Sequence, residues 1–328
     1  MQTRKMGDFE VSAMGLGCMN LSHAYGTPPS AEQGERVLLA ALDAGVTLFD
    51  TAALYGFGAN EALVGKVLSR HRSRFTLASK GGMAGVQFDD GVKRVIDGRP
   101  ETIRKNCEDS LQRLQTDVID LYYLHRWDKK VPIEDSVGAM ADLVHAGKVR
   151  SIGLSNETPW GLSEFLRQAE LHGLPKVVSV QNPYALVNRI VDNGLDETML
   201  RSGVSLLAYS PLGFGALTGK YDGPGLDAAQ PALGRLARFD GMRKQRWGRP
   251  ETLAAARRYN ALARDHGLTP TQLALAFCYT SWRVASTIIG VTTLAQLDDN
   301  LAAWGTTLSP ELLAAVDAIR WELRDPAQ

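Results

Sequence analysis

The chain has 328 residues, 45% of them hydrophobic and 22% charged, with a formal net charge of zero and a pI near 7.0. This composition fits a globular protein with a full core, and the neutral balance argues against nucleic acid or an anionic membrane surface as a partner. Cys18, Cys107 and Cys278 lack metal-ligand spacing and read as free thiols, no signal-like apolar segment follows Met1-Gln2-Thr3-Arg4-Lys5, and no apolar run approaches the ~18 residues of a membrane span. The expectation is a cytoplasmic protein, one domain over residues 1–328, with no metal site.

Residues 3–12 read as a hairpin turning at Gly7-Asp8, followed by a strand from Val11 to Cys18. Helical spacing over 32–44 (Val37, Leu38, Ala41, Leu42) stops at Gly45, and strand 46–50 follows. The alternation then runs helix 60–70, strand 75–80, and a segment 81–100 rich in glycine and mixed charge, expected as a loop. Helix 101–115 (Ile103, Cys107, Leu111, Leu114), strand 117–124, helix 134–146, strand 149–155, helix 160–172 and strand 177–181 come next. A short helix at 194–202 leads to strand 204–210, which Pro211 ends. Residues 211–249 break the rhythm with glycines and basic side chains, among them Lys220, Arg235, Arg238 and Arg243. Helices 250–266 and 270–282, strand 286–290, and helices 293–303 and 309–320 complete the chain.

Eight strand-then-helix units with short apolar strands predict a single (β/α)8 TIM barrel with an N-terminal β-hairpin and two extra helices. The rival is an open doubly wound sheet. No complete Gly-x-Gly-x-x-Gly follows the first strand: in Gly56-Phe57-Gly58-Ala59-Asn60-Glu61 a glutamate stands where the third glycine belongs. Gly213 to Lys220 resembles a phosphate loop, but its spacing is wrong and Tyr221 replaces the required Ser or Thr.

The polar residues fall instead at the carboxyl ends of several strands, where barrel enzymes build their sites. Asp50 ends one apolar strand, and Tyr55 follows five residues later. Lys80 ends the next strand and His125 ends the one after. Singly, each has a bland reading: a cap, a rim aromatic, a solvated lysine, a core histidine. Four ionisable groups at successive strand ends are harder to dismiss, because an unpaired charge there costs stability.

This constellation resembles the catalytic tetrad of the aldo-keto reductases. Further anchors of the resemblance run through the chain in order: Gly45 to Ala52 with Tyr55-Gly56, Asn60-Glu61, Ser79-Lys80, Asp120 to His125, Gly147 to Asn156, Gln181-Asn182-Pro183-Tyr184 and Ala208 to Gly213. The chain looks closest to the branch containing plant auxin-induced-like and bacterial broad-range reductases. Reduction of a carbonyl needs a hydride donor and a proton donor. A free tyrosine, with a pKa of about 10, is a poor acid near neutrality, and an adjacent lysine ammonium favours the phenolate. Tyr55 is then the general acid, Lys80 its modulator, Asp50 the partner of Lys80, and His125 the group that holds the carbonyl oxygen.

The resemblance also implies a cofactor site. Ser155, Asn156 and Gln181 should bond the nicotinamide carboxamide, and Tyr209 should stack on its ring. Ser210, Leu212 and Lys220 should hold the pyrophosphate. Gly290, Thr292, Thr293, Gln296 and Asn300 should meet the adenosine phosphate end, with a plain helix cap as the alternative for Thr293. Many members carry Lys or Arg around 290–293 or 296 to grip a 2′-phosphate, and this chain has none there. Lys220, Arg235 or Arg238 would have to supply that charge. NADP(H) is the preferred cofactor on this reading and NAD(H) the possible one. Met19, Asn20, Trp127 and the 81–100 segment are expected to line the pocket for a small-molecule carbonyl substrate. The protein is expected as a monomer or homo-oligomer. The competing functions are an NAD-linked sugar or alcohol dehydrogenase of the same fold, a cofactor-sensing regulatory subunit like those of potassium channels, and a barrel lyase or isomerase.

Overall fold

The computed structural model describes residues 1–22, 28–89, 91–223, 234, 236, 244 and 246–328. A hairpin comes first: β1 (Thr3–Met6) pairs antiparallel with β2 (Phe9–Ser12) around Gly7 and Asp8. Gly7 has φ 58°, and a Cβ there would meet Val178 Cγ1 at 2.9 Å, so this turn needs glycine on both counts.

Eight parallel strands then close into a barrel: β3 (Met14–Gly17), β4 (Leu48–Asp50), β5 (Thr76–Gly81), β8 (Ile119–Leu124), β9 (Val149–Ser155), β10 (Val177–Pro183), β11 (Ser205–Tyr209) and β12 (Val284–Ile289). Sequential strands are neighbours, and β12 returns to pair with β3. The expected barrel is therefore the observed one. The 81–100 segment differs from expectation. Its β6 (Met83–Phe88) and β7 (Gly91–Ile96) form a second antiparallel hairpin rather than a loop. The sequence cue was present, with β-prone residues Val86, Phe88, Val92 and Val95 flanking Asp89-Asp90-Gly91, but the glycine and charge content masked it.

The helices among the described residues are α1 (Ala31–Asp43), α2 (Ala59–Leu68), α3 (Pro100–Leu114), α4 (Ile133–His145), α5 (Pro159–Leu171), α6 (Leu195–Ser202), α7 (Pro250–Asp265), α8 (Pro270–Tyr279), α9 (Leu294–Ala302) and α10 (Pro310–Glu322). Their starts follow local chemistry. Ser30, Thr158, Thr269, Thr293 and Ser309 each accept a backbone N–H as N-cap, and proline opens α3, α5, α7, α8 and α10. None of the described helices is long and apolar enough to cross a membrane. The three cysteines are free and buried.

Two cores result. The larger lies between barrel and helices; α3, for example, buries Ile103, Cys107, Leu111 and Leu114, the four that helical spacing selects. The smaller fills the barrel itself, where Leu48, Ala78, Leu121, Tyr123 and Leu207 meet Met6 and Val11 of the hairpin. The hairpin covers the amino ends of the strands. Ser12 N donates to Thr47 Oγ1 at 2.8 Å, and the Arg4 guanidinium reaches Val284 O and Tyr279 O. The carboxyl ends are left for the site.

Gly65 of α2 packs tightly on the backbone of the next helix: a Cβ there would lie 2.4 Å from Arg113 O and 2.6 Å from Leu114 C of α3. Both are backbone atoms with little room to yield. Gly65→Ala, which on a free helix would be stabilising, should here cost about 1–3 kcal/mol through overpacking, read as a lowered urea midpoint at unchanged slope.

Candidate active site

Register places the polar residues on one rim. Asp50 pairs with Gly17 on one side and Ala78 on the other, Lys80 stands beside Tyr123, and Gln181 lies between Ser155 and Leu207. His125 follows β8 directly, and its N–H donates to Gly81 O at 2.9 Å. Tyr55 sits in a short turn after β4 that continues through left-handed Gly56, Phe57 and Gly58. Asn60 anchors that turn: its amide oxygen accepts from Thr51 Oγ1 at 2.7 Å, and its Nδ2 donates to Cys18 O at 2.8 Å and to Ser22 Oγ.

Lys80 is the centre of the cluster and is buried. Its ammonium donates to Asp50 Oδ1 at 2.6 Å, to Thr51 O at 2.8 Å and to Tyr55 Oη at 3.2 Å. Three donors thus meet three acceptors. Burial works against the ammonium, but Asp50 and then Tyr55 more than offset it and hold Lys80 above the ordinary lysine value. The other carboxylate oxygen, Asp50 Oδ2, accepts from Gln181 Nε2 at 2.7 Å. Gln181, expected at the carboxamide, therefore also clamps the aspartate.

The His125 ring meets the Tyr55 ring edge-to-face, with centroids 5.8 Å apart. The residue is half-buried as a whole, but its Nδ1 is enclosed and has no hydrogen-bond partner among the described residues. Burial pushes the imidazole well below the ordinary histidine value, and Lys80, Arg126 and Arg94 push the same way. His125 is accordingly neutral in the physiological range.

A cavity of about 930 Å³ runs from this cluster along the barrel mouth. Asp50, Tyr55, His125, Ser155, Asn156, Gln181, Tyr209, Ser210, Leu212, Lys220, Gly290, Thr292, Gln296 and Asn300 all line it. Lys80 stands behind Tyr55, and Thr293 is outside the lining; its hydroxyl accepts from Gln296 N at 3.2 Å as the cap of α9. Arg235, Arg238 and Arg243 lie outside the described residues. Met19, Asn20, Met83 and Arg94 line the cavity as expected of their segments, whereas Trp127 packs against Phe165 and Trp160 instead. Among the described residues no cluster of three or more His, Cys, Asp or Glu is placed to hold a metal ion.

The cavity has room for a ligand of dinucleotide size. Its volume is at the upper end for a pre-formed ligand site, and its walls present side-chain amides and hydroxyls along their length. Tyr209 Oη donates to Asn156 Oδ1 at 2.8 Å, and Asn156 Nδ2 donates to His125 O at 3.2 Å and Ser155 Oγ at 3.1 Å. Asn156 and Ser210 both have left-handed φ, 59° and 57°, which is uncommon without glycine. Asn182 braces the first of these turns, since Glu157 N donates to its Oδ1 at 2.9 Å and its Nδ2 donates back to Glu157 O at 2.8 Å. Sequence reasoning missed several participants. Gln33 lines the cavity and donates to Thr292 O at 2.7 Å; Arg246 donates to Tyr209 Oη at 3.2 Å; Arg126 and Leu54 are lining residues. Arg126 and Asn182 had one available signal, adjacency to His125 and Gln181.

The model of the aldo/keto reductase family matches residues 13–320. The protein named tas from Escherichia coli is 38% identical over 97% of this chain and 96% of its own length. A probable aldo-keto reductase 1 from Glycine max is 36% identical over 94% of this chain and 85% of its own. Among solved structures, the glycerol dehydrogenase of Gluconobacter oxydans aligns with TM-score 0.82 and 29% identity, over 98% of this chain and 96% of that one. The holo form of an aldo-keto reductase from Bacillus halodurans aligns with TM-score 0.78 and 26% identity, over 97% and 96%.

Removing Lys80 should expose how much the cluster relies on it. Lys80→Met leaves Asp50 buried without its cation and should destabilise the protein by about 3–5 kcal/mol, while the double variant Asp50→Asn, Lys80→Met recovers part of that loss. Urea denaturation of the three proteins measures both.

Proposed function

The chain belongs to the aldo/keto reductase family of oxidoreductases, and we propose that it reduces aldehydes and ketones with a nicotinamide cofactor, using Tyr55 as general acid. The observation that carries this reading is the fully matched ammonium of Lys80. Its bond to Tyr55 uses the phenol oxygen as acceptor at 3.2 Å, which leaves the phenol's own proton to be donated to another group, and Tyr55 lines the cavity. A cation so placed favours the phenolate that forms once that proton is given away. Asp50 and Thr51 O fix the ammonium where this effect is strongest, because both remaining donors are held. The bound nicotinamide supplies the hydride. His125, neutral and enclosed at Nδ1, offers Nε2 as donor to the carbonyl oxygen, holding it beside Tyr55. In the oxidation direction the same tyrosine, as phenolate, takes the alcohol proton.

Ser155, Asn156, Gln181 and Tyr209 are proposed to hold the nicotinamide end. Ser210, Leu212 and Lys220 are proposed for the pyrophosphate, and Gly290, Thr292, Gln296 and Asn300 for the adenosine end. Thr293 is assigned to helix capping. NADP(H) is the proposed cofactor, with Lys220 or the loop arginines meeting the 2′-phosphate. NAD(H) is the second reading, and one observation favours it: Asp299 lines the cavity beside Asn300, and an acidic side chain near adenosine suits a ribose hydroxyl better than a phosphate.

Fluorescence titration with NADPH and with NADH separates the two. Tighter NADPH binding is expected; comparable or tighter NADH binding moves the protein to the NAD-linked dehydrogenase. Binding of neither removes the redox reading altogether. For the chemistry, Tyr55→Phe should lower kcat/KM for carbonyl reduction by about 10²–10⁴-fold with NADPH affinity nearly intact. Substantial retained turnover would sink the role given to Tyr55.

A further inference from the structure

The proton-transfer scheme leaves two charged lining residues without a task. Arg94 comes from β7 and Arg126 from the connection between β8 and α4, and both line the cavity at the end that holds Tyr55 and His125. Asp50 is matched by Lys80, while Lys220 stands near Gly215 and Gly234, and Asp299 beside Asn300, both toward the far end. Among the described residues Arg126 makes no hydrogen bond or ion pair. It stands in the field of Glu157, but that carboxyl is buried and accepts from Thr158 N at 2.8 Å.

The elements carrying the two arginines are fastened together. Asp97 N donates to Gly82 O at 3.0 Å and closes the base of the β6–β7 hairpin. Gly98 N donates to Asp128 Oδ2 at 3.3 Å, and Ser136 Oγ to Gly98 O at 3.1 Å, which ties that base to the loop carrying Arg126 and to the first turns of α4. Both arginines thus come from tethered elements, line the same cavity and act on the His125 ring through their charge. We propose that Arg94 and Arg126 form an anion subsite at the substrate end of the cavity, so that the preferred carbonyl compounds carry a carboxylate or phosphate group. The planar fork of each guanidinium suits either oxyanion, and a bidentate contact would fix the far end of the substrate while Tyr55 and His125 meet its carbonyl oxygen. This inference rests on the reductase reading and adds the substrate class.

The test uses the full chain with NADPH and matched aldehydes: 4-carboxybenzaldehyde against 4-methylbenzaldehyde, and glyceraldehyde 3-phosphate against glyceraldehyde. Wild type should prefer the anionic member of at least one pair by about tenfold or more in kcat/KM, the pair identifying carboxylate or phosphate. Arg126→Ala and Arg94→Ala should each reduce that ratio, mainly through KM, and Arg126→Lys should restore part of it. The ratio should also fall with added salt. No anionic preference in wild type, or a ratio unchanged in both alanine variants, overturns the subsite. The same ratio can be read without turnover, from binding of 4-carboxybenzyl and 4-methylbenzyl alcohol, and of glycerol 3-phosphate and glycerol, to the NADP⁺-loaded protein. Failure of the reductase reading and failure of the anion subsite are therefore separate outcomes.

Discussion

Everything at the barrel mouth depends on the pairing of Lys80 with Asp50. Both are withdrawn from water, and each alone would be a costly buried charge. Together they are tolerable because further bonds complete the cluster: Thr51 O and Tyr55 Oη on the ammonium, Gln181 Nε2 on the carboxylate. The acceptors come from β4 and the turn after it, the cation from β5, and Gln181 from β10 across the barrel. The pair is thus satisfied only when the barrel is closed, which makes the chemistry of the rim a consequence of the register of the strands.

The same economy governs the neighbouring segment. Asn156 and Ser210 hold left-handed backbone that only a supporting network can maintain, and that network runs from Asn182 through Glu157 and from Arg246 through Tyr209 to Asn156. Before any ligand arrives, the hydroxyl of Tyr209 and the amide of Asn156 are already oriented by each other. A site with its polar groups fixed in advance loses less freedom on binding.

Much of this was legible in the chain. The strand ends of the barrel could be read because each strand is a short apolar run and the polar residue that follows it is conspicuous, as with Asp50, Lys80 and His125. The 81–100 hairpin was not, because alternation was diluted by glycine and by the charged pair Lys93-Arg94, so composition argued for a loop. Thr293 illustrates a different limit. A threonine before a helix is an equally good phosphate donor or N-cap on paper, and its place outside the cavity wall favours the cap. Gln33 carried no pattern of its own, and Arg126 only its place beside His125. Their positions depend on how a loop and a helix start fold over the rim, which no local periodicity encodes.

The amino-terminal hairpin has a consequence for traffic. By seating Met6 and Val11 among the side chains inside the barrel, it makes the barrel a vessel with a sealed base. Among the described residues, the polar cluster is reached from the opposite end, through the cavity at the carboxyl ends of the strands. A ligand lying deep along that wall would lie beneath one that entered after it. Any order of arrivals and departures would in this sense be set at the end of the barrel farthest from the site.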